Sequence, residues 1–73
     1  MKEVTINQFL THEQIARCVK LYAQLADTGK FARTVAEEVI KPNLAEINRK
    51  LGQENDPMYL AYAVEYTMLR SRQ

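Results

Sequence analysis

The chain has little of what active sites are usually built from. Its 73 residues include one cysteine, one histidine and one serine. A lone Cys18 cannot close an internal disulfide, so no cross-linked framework holds this chain, and an unpaired thiol suits a reducing compartment. One Cys and one His cannot supply the several ligands of a zinc site. Ser71 lies in the C-terminal tail and His12 near the start. Six residues from Cys18 along a helix, His12 points roughly 120° away from it. No nucleophile therefore finds a base in the sequence. Glycine is scarce as well. Gly29 and Gly52 stand alone, so there is no glycine-rich loop to cradle a phosphate.

Long apolar runs and charge of one sign are missing too. The longest apolar run spans residues 58–64, far short of the roughly 20 residues a membrane span needs. The first seven residues lack the apolar core of a signal peptide. Ten basic residues against nine acidic ones leave a net charge of +1, too little for the broad positive field of a non-specific nucleic-acid binder. Lys30 with Arg33, Arg49 with Lys50, and Arg70 with Arg72 form separate small clusters. These absences predict a soluble, cytoplasmic protein that is not an enzyme, needs no cofactor or metal, and engages no membrane.

What is present is a folding composition: 47% hydrophobic and 26% charged residues, with near-neutral balance. The length allows one domain and only a modest core. Residues 1–10 read as an extended N-terminal arm, with Val4 and Ile6 in weak strand-like alternation. A helix then follows over 11–28. Thr11 and Gln14 have the spacing of a capping box, and Leu10 with Ile15 that of a hydrophobic staple. Ile15, Cys18, Val19, Tyr22, Leu25 and Ala26 share its apolar face, Glu13 and Arg17 form a four-residue ion pair, and Gly29 stops it.

A second helix covers 30–51. Its first apolar stripe (Phe31, Ala32, Val35, Ala36, Val39, Ile40) and its last (Leu44, Ile47, Leu51) sit about 100° apart on the helix wheel. Pro42 lies between them, so the helix kinks there or breaks to give four short helices. Lys41 is a poor cap for a new start, which favours the kink. Glu37–Lys41 and Glu46–Lys50 are further ion-pair spacings. After a polar loop, Asp56 and Pro57 start the last helix, 56–70. The expected fold is all-α: a small antiparallel three-helix bundle with the last helix central.

That last helix carries two apolar faces. Leu60, Ala61, Val64 and Met68 make an aliphatic one; Met58, Tyr59, Tyr62, Tyr66 and Leu69 make an aromatic-rich one. A surface helix of a small domain normally has a single stripe. Tyrosine combines a large apolar body with a polar tip and is common where proteins meet. Met58, Tyr59, Tyr62, Tyr66 and Leu69 are therefore the candidate interface, either within the core or between two copies of the chain. The function expected is a homodimeric, non-enzymatic protein–protein interaction module.

One other pattern points elsewhere. Residues 44–52, an amphipathic helix ending in glycine, resemble the first helix and turn of a helix-turn-helix, which would extend over 44–69 and imply a DNA-binding regulator. Asn48 stands where that motif takes a small residue. The would-be reading helix has no Lys or Arg before Arg70, so phosphate and guanine contacts lack their usual donors.

Overall fold

A computed structural model describes residues 5–71. It is all-helical, with no strand among the described residues, and is built from three rods. The first is α1 (His12–Leu25). The second, residues 31–51, runs without interruption through α2 (Phe31–Val35), a π turn (Ala36–Ile40), a 3-10 turn (Lys41–Asn43) and α3 (Leu44–Leu51). The third is α4 (Pro57–Ser71). No helix is long and apolar enough to cross a membrane.

The helix ends follow from local chemistry. Thr11 Oγ1 accepts from Gln14 N at 3.2 Å, and Thr11 N donates to Gln14 Oε1 at 2.8 Å, which satisfies two donors at the start of α1. Asp56 Oδ1 accepts from Met58 N at 2.8 Å at the start of α4, with Pro57 in the first position, where no N–H is needed. Gly52 ends α3 at φ +73°, a conformation costly for any residue with a Cβ.

The middle rod shows how Pro42 is accommodated. Proline offers no N–H to the carbonyl one turn back. Upstream, the winding loosens and Lys41 N reaches back to Ala36 O, five residues away. Downstream it tightens, with Leu44 N bonding Lys41 O. The Asn43 side chain donates Nδ2 to Val39 O at 2.9 Å and so braces the disturbed turn. Loosening and tightening change the phase of the apolar stripe, so Val39 and Ile40 above the proline and Ile47 below it are all buried. The two stripes that miss each other on an ideal wheel thereby serve one core.

That core is densest along residues 31–40, and α4 packs against them while also touching α1 and residues 6–8. Phe31, Val35, Ala36 and Ile40 are fully buried; α1 packs on one side of them and the Leu60–Ala61–Val64–Met68 face of α4 on another. The rings of Tyr22 and Phe31 meet edge to face at 5.1 Å. The arm also differs from the expected extended strip. Residues 6–8 wind into a 3-10 turn, and Phe9 and Leu10 are buried. Val4 and the three residues before it lie outside the described residues.

Three further readings are corrected. Val19 is 54% exposed, because α1 rolls so that Leu21 and Leu25 share the core side. Arg17 pairs with Glu38 of the middle rod at 2.7 Å, not with Glu13. Glu46 pairs with Arg49, one turn away, where Lys50 was expected. The Glu37–Lys41 pair is present at 2.8 Å. All three pairs are solvent-exposed and contribute little to stability.

Candidate functional site

The outward face of α4 is the most unusual surface of the molecule. At about 100° per residue, Leu60, Val64, Met68 and Ala61 cluster on one side and are buried. Tyr59, Tyr62, Tyr66 and Leu69 cluster on the opposite side. They are 58%, 57%, 58% and 49% exposed. Single exposed apolar residues are ordinary; four in one row are not. The row extends over the eleven residues 59–69, about 15 Å of helix.

Met58 behaves differently from the other four expected interface residues. It is half-buried and packs against the core beside the α4 N-terminus. At the other end, the Arg70 guanidinium lies over the Tyr66 ring, 5.5 Å from its centre, a favourable cation–π arrangement. The tyrosine stripe thus has a cationic margin at its C-terminal end. Glu65 lies on the opposite flank and is half-buried.

The chemistry-bearing residues are not gathered anywhere. His12 is exposed in the first turn of α1. Cys18 is fully buried, and burial pushes its thiol up from 9.0 to about 11, with the Arg17 charge pulling it partly back. A thiol held protonated is a poor nucleophile. Among the described residues no group of three His, Cys, Asp or Glu could hold a metal ion. Among them, too, no buried side-chain polar atom lacks a hydrogen-bond partner. One open groove of about 770 Å³ runs between α1 and the middle rod, with the Arg17–Glu38 pair and Asn43 along it. Charges of both signs line it, and the Arg17–Glu38 pair spans it.

The geometry also bears on residues 44–69. α4 packs chiefly on residues 31–40, not on α3. Asn48, at the position where a helix-turn-helix takes a small residue, accepts at Oδ1 from Asn55 N at 3.0 Å and Asn55 Nδ2 at 3.1 Å. It therefore anchors the loop before α4. The outward face of α4 presents tyrosines where a DNA reader presents cations. No family model, curated protein or solved structure matches this chain.

Sequence reasoning found the aromatic face but missed Phe9, which is wholly buried. Its signal was available: an apolar Phe9–Leu10 pair directly before the Thr11 cap.

Proposed function

We propose that this chain is a non-enzymatic protein–protein interaction module, a small cytoplasmic adaptor or regulator that pairs with a second copy of itself through the outward face of α4. The observation that carries this reading is the row Tyr59, Tyr62, Tyr66 and Leu69, half or more exposed on the face opposite the core. Tyr rings gain from leaving water while their hydroxyls stay at the rim. Tyrosine is also among the residues that dominate binding energy where proteins meet. Symmetric pairing is the commonest way to cover such a face.

The size of the stripe sets the strength. Three tyrosines at this exposure offer roughly 300–400 Å² of surface per copy. Pairing buries roughly 600–1,000 Å² in all once Leu69 is included, below the standard interface. A patch of this size fits a weak, transient dimer. Light scattering after size exclusion, over a concentration series from about 1 μM to 1 mM, will show a mass rising from 8.5 kDa toward twice that value. Tyr62→Asp will hold the mass at the monomer value, because a buried unpaired carboxylate is costly. It will leave the monomer's melting temperature unchanged, since Tyr62 lies outside the core. A wild-type mass of 8.5 kDa at every concentration refutes the reading. Salt-dependent binding to duplex DNA would instead favour the regulator with a degenerate helix-turn-helix.

A further inference from the structure

The outward stripe of α4 has a heptad register, and its flanking charges select an orientation. Tyr59, Tyr62, Tyr66 and Leu69 follow the 3–4–3 spacing of a–d–a–d positions over two heptads. In that frame Glu65 falls at g and Arg70 at the following e. These are the flanking positions whose charges set partner choice and orientation in coiled coils. Glu65 is half-buried at the edge of the stripe and, among the described residues, has no hydrogen-bond or ion-pair partner in its own chain. Arg70 is drawn over the Tyr66 ring, which places its charge at the stripe's opposite margin.

We infer that two copies of the chain associate as a parallel, two-stranded α4–α4 coil, with Glu65 of each copy bridging to the partner's Arg70. This rests on the homodimer reading above and adds its geometry. In a parallel pair the g flank of one helix faces the e flank of the other. Two Glu65–Arg70 bridges then close over the tyrosine layers, one on each side. In an antiparallel pair like flanks meet. With the stripe centred near residue 64, Glu65 would lie about 3 Å along the axis from the partner's own Glu65, and like charges so placed repel. Asp56, whose Oδ1 caps Met58 N, could then offer its other oxygen to the partner's Arg70, but that bridge leaves the Glu65–Glu65 repulsion in place. The balance of charges favours the parallel arrangement.

Two variants decide the orientation. Leu69→Cys, treated with a mild thiol oxidant, forms a disulfide-linked dimer on a non-reducing gel if the helices are parallel, because the two thiols then face each other. In the antiparallel arrangement they stand about 15 Å apart along the axis, beyond the reach of a disulfide. The wild-type chain is the control, its single Cys18 being fully buried. Glu65→Gln gives the opposite sign in the two cases. It loosens the parallel dimer by about twofold to tenfold in Kd, and it tightens the antiparallel one by removing a repulsion. If Leu69→Cys fails to dimerise, Glu65→Gln decides alone. A wild-type dimer whose Leu69→Cys variant associates without cross-linking, or whose Glu65→Gln variant binds unchanged or tighter, overturns the parallel coil and leaves the homodimer standing. A wild-type chain that is monomeric throughout removes both.

Discussion

Two fully buried side chains show at the residue scale how little room the core leaves. Phe9 precedes α1 and is 0% exposed, so it plugs the bundle from outside the three rods. Phe9→Ala will cost about 3–5 kcal/mol, read as a lower urea midpoint; a loss below 1 kcal/mol would place Phe9 outside the core. Cys18 sits in the core with its thiol raised to about 11. Between pH 9 and 11 the unfolded chain releases this proton while the folded chain keeps it. The unfolded state then binds fewer protons, and stability falls across that window. The loss reaches at most about 2 to 3 kcal/mol, and below the window the thiol has no effect. Cys18→Ala should lack this component, so the difference between the two unfolding profiles isolates it. In the native protein near neutral pH, the thiol should react with alkylating reagents only as fast as the chain opens.

The informative features at the element scale are the junctions. The loop between α3 and α4 is tied back to α3 by the Asn48 side chain, which accepts two hydrogen bonds from Asn55, while Gln53 and Asn55 bond each other within the loop. Asn48→Ala leaves Asn55 N without an acceptor, while Asn55 Nδ2 keeps Gln53 O, and should cost about 1–2 kcal/mol in chemical denaturation. Asp56→Ala removes the α4 cap and should cost about 1 kcal/mol. Asp56→Asn keeps an oxygen for Met58 N, so its loss will be no more than a few tenths of that; equal losses from the two variants would mean that charge, not the hydrogen bond, matters there. The proline junction was legible only in part. Pro42 announces a disturbance. That the disturbance takes the form of a loosened turn followed by a tightened one depends on Asn43 reaching Val39 O and on both apolar stripes finding one core.

For the whole molecule, size frames the result. The radius of gyration is 11.4 Å, close to the roughly 11 Å expected of a compact chain this long. The chain therefore closes its own core, and the tyrosine face is left over after that core is complete. In the proposed homodimer, pairing therefore adds little to the stability of each chain. Melting temperature should rise only slightly with protein concentration, as mass action requires of a weak association. A concentration-independent melting temperature alongside a measured dimer would mean that the pair dissociates before its chains unfold.

Helices, caps and stops were readable because they depend on neighbours in the chain: Thr11 with Gln14, Asp56 with Pro57, Gly52 after Leu51. The two faces of α4 were readable for the same reason, since periodicity along a helix is local. Which face turns inward was not. That choice depends on the volume offered by Phe31, Val35 and Ile40 from another rod, and the compact aliphatic face fits it while the tyrosine face keeps its hydroxyls in water. The same limit hid the partner of Arg17 and the exposure of Val19. Each depends on contacts between residues far apart in sequence, and only the packing of one rod on another brings those residues together.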